Sequence, residues 1–132
     1  MPLQVPPNCD LTLGLRCVDK SQPGTTVWEM LADERFANPG GVMQGGFLGA
    51  MMDSAMGASA VTSLEGRKAR VANAEMKVNF LKSAAVGSLL TCTAKVVGSG
   101  RTVIFVTGEI RDERDRLVAT GSSTYIASER SE

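Results

Sequence analysis

The sequence predicts an α+β fold in which five or six antiparallel strands wrap around one long central helix, and three observations lead there. Residues 45–64, GGFLGAMMDSAMGASAVTSL, contain a single formal charge, Asp53, and are apolar or small on every side. From residue 71 onward the hydrophobic period changes from 3.6 to 2 and keeps that value through four successive segments. The chain has 132 residues, the usual size of one domain, which can bury about two-thirds of the surface its unfolded form exposes. Strands that are apolar on one face make a sheet with one dry side. A helix that is apolar all round needs more cover than one sheet edge provides. Curling the sheet around the helix satisfies both, so residues 1–132 are read as a single domain.

Before the helix, Leu13–Val18 and Thr25–Leu31 supply two strands around the turn Gln22-Pro23-Gly24. The cluster Asn38-Pro39-Gly40-Gly41 forms a turn, and Gly45-Gly46 begins the helix. The helix ends near Leu64-Glu65-Gly66, where Gly66 can take a left-handed conformation. Its length alone would cross a bilayer. The mid-segment Asp53, the small polar residues around it and the β pattern that follows argue instead for a helix buried in a soluble domain. In Val71–Leu81, Ala74, Met76, Val78 and Phe80 alternate with Asn73, Glu75, Lys77 and Asn79, which predicts a half-buried strand. Leu89–Val97 follows, then the turn Gly98-Ser99-Gly100 and the strand Thr102–Arg111. The charged loop Asp112-Glu113-Arg114-Asp115 leads to the last strand, Leu117–Ala127. Short connections make successive strands antiparallel neighbours.

Composition narrows the chemistry. The chain has no histidine, which removes imidazole acid/base catalysis, Ser/His/Asp and Cys/His pairs, and zinc sites built on imidazole. Fourteen basic and fourteen acidic residues cancel, and the one basic run is Arg67-Lys68-Ala69-Arg70, so nucleic acid is not an expected partner. Cys9, Cys17 and Cys92 fit neither a C-x-x-C motif nor a disulfide framework, and read as reduced thiols of a cytoplasmic protein. The N-terminus lacks a basic n-region and is broken by Pro2, Pro6 and Pro7, unlike a secretory signal.

Asp53 is the natural centre of a site. Gly46, Gly49, Ala50, Gly57 and Ala60 stand three, four or seven positions from it, so the carboxylate lies on a stripe of small residues that another surface or a ligand can approach. An ionised group in an apolar helix is costly unless it is paired or functional. Asn38-Pro39-x-Gly41-x-x-Gln44-Gly45-Gly46, then Asp53-x-Ala55-x-Gly57, then Asn79-Phe80-Leu81-Lys82 and Gly100-Arg101 together resemble the hotdog-fold acyl-CoA thioesterases, in the phenylacetyl-CoA thioesterase-like branch. The resemblance runs from about Asn38 to Tyr125. It implies a hotdog fold and hydrolysis of an acyl-CoA thioester.

Elementary chemistry supports the same residues. Thioester hydrolysis needs a base or nucleophile at the carbonyl carbon and donors at its oxygen. Asp53 can supply the first, by activating water or by direct attack to form an anhydride. The backbone N–H of Gly45, unpaired at a helix N-terminus, can supply the second. The two are eight residues apart, about 12 Å along a helix, too far to meet at one carbonyl. Two antiparallel copies can pair Gly45 of one with Asp53 of the other, which predicts a homodimer with composite sites, as the resemblance also implies. The polar strand faces would allow dimers to pair into a tetramer.

Other roles follow from the resemblance. Asn38 matches an amide that orients the water or the thioester. Asn73 stands where relatives carry Ser or Thr. Phe80, Leu81 and Lys82, with the turn Gly98, Ser99, Gly100, Arg101 and Thr102, match segments that hold the pantetheine arm and phosphates of coenzyme A. Gln44 replaces a histidine usual before the Gly-Gly pair. No metal and no separate cofactor is implied, since CoA is part of the substrate. The bland readings are a structural Asp53, a turn-forming Asn38, a solvated Arg101, and Trp28 and Tyr125 as packing. Two other functions remain open at this point: a non-catalytic acyl-CoA binding module, marked by Gln44, and a scaffold dimer without a ligand.

Overall fold

A computed structural model describes residues 4–129. A short helix α1 (Asn8–Leu13) precedes β1 (Arg16–Gln22) and β2 (Thr25–Leu31), and a 3-10 turn at Glu34–Phe36 leads into the long helix α2 (Gly45–Ser63). Four strands follow: β3 (Ala69–Phe80), β4 (Leu89–Ser99), β5 (Val103–Arg111) and β6 (Leu117–Glu129). They form one six-stranded antiparallel sheet in the order β1-β2-β4-β5-β6-β3. The sheet curls around α2, as expected of a hotdog fold. Among the described residues no helix is long and apolar enough to cross a membrane.

The core lies between helix and sheet. Met51, Met52, Ala55 and Met56 of α2 are fully buried against Met30, Leu90, Ile104, Ile110 and Val118. Two glycines make room for this methionine-rich helix face. Gly108 of β5 and Gly121 of β6 are cross-strand partners, and a Cβ at either would lie 2.6 Å from Met52 Sδ or 3.0 Å from Met52 Cγ. Most polar groups in the interior are satisfied, the indole N–H of Trp28 being an exception. Thr26 Oγ1 and Ser59 Oγ lie 2.8 Å apart, and their two protons serve this contact and the carbonyls of Ala55, 3.0 Å from Thr26, and Ala94, 2.9 Å from Ser59, tying α2 to β2 and β4. Cys92 is also in this core, and burial, aided by the charge of Glu109, pushes its thiol up to about 12.

Two sequence expectations are corrected. The proposed first strand Leu13–Val18 is displaced: residues 8–13 are helical, and Gly14, at φ 71°, turns the chain before β1 begins at Arg16. The strands after the helix are not all sequential neighbours. β3 pairs along its whole length with β6, the last strand, and among the described residues its other edge is unpaired. Residues 81–88 carry the chain from β3 across the start of α2, held by Met43 N to Ala84 O and by reciprocal bonds between Ala32 and the Gly87-Ser88 backbone. β4 is thereby delivered between β2 and β5.

Candidate active site

Asp53 sits at the ninth position of α2, and its side chain is exposed in the protomer. Its Oδ1 accepts a 2.7 Å hydrogen bond from Tyr125 Oη and a 2.9 Å bond from Asn73 Nδ2. Among the described residues no hydrogen bond reaches Oδ2. Tyr125 also lies 3.0 Å from the Asp53 carbonyl, and Asn73 reaches Ser123 Oγ at 3.4 Å. Tyr125 is only 2% exposed. Burial, then the hydrogen bond and charge of Asp53, push its phenol far above the ordinary value, so it remains a protonated donor.

A β-bulge explains how Asn73 comes to face the helix. The sequence pattern groups Asn73 with Glu75, Lys77 and Asn79 on the polar face. The register with β6, however, runs Asn73 to Tyr125 and then Glu75 to Thr124, which leaves Ala74 as the extra residue. One inserted residue reverses the alternation, so Asn73 before it and Met76 after it both turn inward. Asn73 meets Asp53, and Met76 Cε comes within 3.8 Å of the position a Cβ on Gly49 would take. The small stripe on α2 is therefore partly occupied by the chain's own sheet. Gly49 receives Met76, and Gly57 receives the Tyr125 ring at 3.6 Å.

The start of α2 forms a second cluster. Gln44 is the N-cap, with φ −66° and ψ 138°, and no side chain caps the N–H groups of Gly45 and Gly46. No backbone carbonyl among the described residues accepts from them either. The donors and the positive helix end border a cleft of about 360 Å³ lined by Asn38, Val42, Gly45, Leu48 and residues 80–84. The Phe80 ring covers Gly45, with Cζ 3.0 Å from where a Cβ would be. Asn38 Oδ1 accepts from Gly40 N at 2.9 Å and from Val42 N at 3.3 Å, closing the loop before the helix. Its carbonyl is thus committed to its own turn.

A sequence profile of the thioesterase superfamily matches residues 40–119, which include Gln44, Gly45, Asp53, Asn73 and Phe80. The chain belongs to that superfamily. This thioesterase is 25% identical over 118 residues to human acyl-coenzyme A thioesterase 13, covering 89% of the chain and 83% of the relative. Among solved structures, it matches a phenylacetic acid degradation-related protein of Ralstonia eutropha at TM-score 0.84 and 32% identity, over 94% of this chain and 92% of that one. A conserved protein of Pseudomonas aeruginosa matches at 0.85 and 30%, over 92% and 94%. The Escherichia coli PaaI protein from the phenylacetic acid degradation operon shares the fold at 0.87 and 20%, over 93% and 86%. These likenesses give the thioesterase the hotdog fold of the PaaI protein, and the superfamily match makes it a thioester hydrolase.

Within one protomer, the sequence-predicted residues divide into three places. Asp53 and Asn73 form one; Asn38, Gln44, Gly45, Phe80, Leu81 and Lys82 gather around the cleft. The turn Gly98-Ser99-Gly100-Arg101-Thr102 lies elsewhere, fixed by Ala127 N to Thr102 O and by Arg67, which donates to Arg101 O and pairs with Glu129. Ala69 faces Glu129 and Phe80 faces Ala119, so this turn and Lys82 flank opposite ends of β3, about 36 Å apart at 3.3 Å per residue. The sequence reading missed Tyr125 and Ser123, which it assigned to packing or passed over. Both fall on the inward face of β6 with Gly121 and Ala127. A buried hydroxyl pair at that spacing requires partners, and that requirement is the signal that could have found them.

Proposed function

We propose that the protein is a cytoplasmic acyl-CoA thioesterase that converts an aryl- or medium-chain acyl-CoA to the free acid and CoA in a homodimer with two composite sites. The observation that carries this is the Asp53 carboxylate, held by two donors and open on one side, in a chain of the thioesterase superfamily. Asp53 takes a proton from a water as the water oxygen bonds to the thioester carbonyl carbon. The carbonyl electron pair moves onto its oxygen, which faces the N–H of the partner's Gly45. Collapse breaks the C–S bond, and the departing thiolate recovers the proton from Asp53. Direct carboxylate attack, forming an anhydride that water then opens, would use the same geometry.

The unpaired edge of β3 supports the dimer. It leaves Met76, Phe80 and Leu81 37%, 56% and 54% exposed, along a strand with free N–H and C=O groups. Antiparallel pairing of two such edges would bring the Phe80 end of one copy beside the Ala69 end of the other. The two separated halves of the expected CoA cradle would then meet, with Lys82 and the partner's Arg101 as phosphate partners. The free thiols of Cys9, Cys17 and Cys92 fit a reducing compartment.

The test is release of free CoA from a panel of aromatic and aliphatic acyl-CoA thioesters by wild type and by Asp53→Asn. Turnover of wild type, lost in the variant while the dimer persists, is expected. Equal rates in both would refute the assignment. Binding of CoA thioesters by wild type without hydrolysis of any would instead mark an acyl-CoA binding module.

A further inference from the structure

We infer that Tyr125 is a positioning residue of the active site: together with Asn73 it fixes Oδ1 of Asp53 and thereby makes Oδ2 the oxygen that reacts. The inference rests on the catalytic reading of Asp53 and goes beyond it by distinguishing the two carboxylate oxygens. Both donors converge on Oδ1, at 2.7 and 2.9 Å, from adjacent strands whose register makes Asn73 and Tyr125 direct partners. Two anchors on one oxygen fix the plane of the carboxylate. A single one would leave rotation about Cβ–Cγ free.

The supports of Tyr125 are built for this purpose. The ring lies over Gly57, one turn beyond Asp53, 3.6 Å from where a Cβ there would be. The ring is buried, so the hydroxyl has little competition from water. Its second short contact, to the Asp53 carbonyl at 3.0 Å, keeps it on the same residue. Among the described residues Oδ2 has no such partner. A proton taken from water, or a bond made to the acyl carbon, is therefore formed at Oδ2. In neither route is a hydrogen bond at Oδ1 broken.

The experiment compares wild type, Tyr125→Phe, Asp53→Asn and the double variant, measuring kcat and KM separately. Losing one hydrogen bond to a carboxylate should lower kcat about 10-fold or more in Tyr125→Phe, with KM unchanged within about twofold. In the Asp53→Asn background the same substitution should cost nothing further, because there is no carboxylate left to orient. An unchanged kcat in Tyr125→Phe overturns the inference. So does an equal loss in both backgrounds, which would mean that the hydroxyl acts independently of Asp53. If Asp53→Asn itself turns over like wild type, the catalytic reading fails and the inference fails with it. If only Tyr125→Phe is silent, that reading stands and the inference alone is lost.

A second readout does not depend on the folding of Tyr125→Phe. The chain has one tyrosine, so incorporation of 3-fluorotyrosine gives a single fluorine resonance from this site. That resonance should move in Asp53→Asn. Superimposable spectra would remove the contact on which the inference depends.

Discussion

Gly45→Pro tests the proposed oxyanion donor by deleting one N–H, at the cost of shifting the Phe80 ring. Gly45 is the first helical residue of α2, a position where proline is well tolerated because its N–H has no helical acceptor. Gln44 already has φ −66° and ψ 138°, the extended geometry that a following proline demands. The ring must displace Phe80, whose Cζ would lie 3.0 Å from the new Cβ, but Phe80 is 56% exposed and free to rotate away. The fold should therefore survive. Removing an oxyanion donor costs about 10²–10³ in kcat, about 2.7–4 kcal/mol of transition-state stabilisation. The assay is thiol release from an acyl-CoA.

The same variant tests whether sites are shared. Gly45→Pro damages the donor half of both sites in a homodimer, and Asp53→Asn damages the carboxylate half. Co-expression under two affinity tags isolates the mixed dimer. If each site takes Gly45 from one chain and Asp53 from the other, one site receives both defects and the other none, so about half of wild-type activity returns. A mixed dimer as inactive as its parents would show that the two groups do not act across an interface. A Gly45→Pro homodimer at wild-type rate would show that this N–H does not stabilise the oxyanion.

Two further outcomes concern stability. Gly108→Ala sets a methyl carbon 2.6 Å from Sδ of the fully buried Met52, so it should destabilise by about 1–3 kcal/mol, read as a lowered Tm; an unchanged Tm would show that Met52 has room to move. In the β5–β6 loop, the backbone N–H of Arg116, with further help from the Arg116 side chain and Arg114 N–H, holds the Asp112 carboxyl below its ordinary value. A depressed folded value means that this contribution is complete above the unfolded carboxylate value of about 3.9 and disappears as pH falls through the lower folded one. Asp112→Asn should therefore melt lower than wild type at pH 7, with the gap closing in thermal scans toward pH 3.

The strands of this fold were legible because their apolar residues alternate, and β2, β4, β5 and β6 begin or end within one or two residues of the expected places. Strand order was not legible. Residues 81–88 are long enough to serve as a hairpin loop or as a crossing beneath α2, and only contacts such as Met43 N to Ala84 O distinguish the two. α1 escaped notice because six residues cannot display a helical period. The site was half legible. Asp53 stands out as the lone charge of an apolar helix, and Gly45 by its spacing from it. Asn73 was assigned to the wrong face because period 2 carries no mark of the bulge at Ala74. Tyr125 reads as core until the register places its hydroxyl against Asp53.

The absent histidine can now be placed in the structure. Gln44 stands where the resemblance implies a histidine, and its side chain folds back over the helix start, with Oε1 3.1 Å from where a Cβ on Gly46 would be. An amide there cannot move a proton at neutral pH, so if a proton transfer were needed at this corner, the protein would be inactive. The water-activating route needs none: the proton leaves water for a carboxylate eight residues further along the other helix, and the oxyanion faces a backbone N–H. In the proposed dimer, proton handling falls to the middle of one helix and oxyanion binding to the start of its antiparallel partner. Replacing the histidine therefore removes a contact near the oxyanion without removing a base. Gln44→Ala should on this account cost far less turnover than Asp53→Asn, and an equal loss would mean that the amide itself is a principal donor to the thioester.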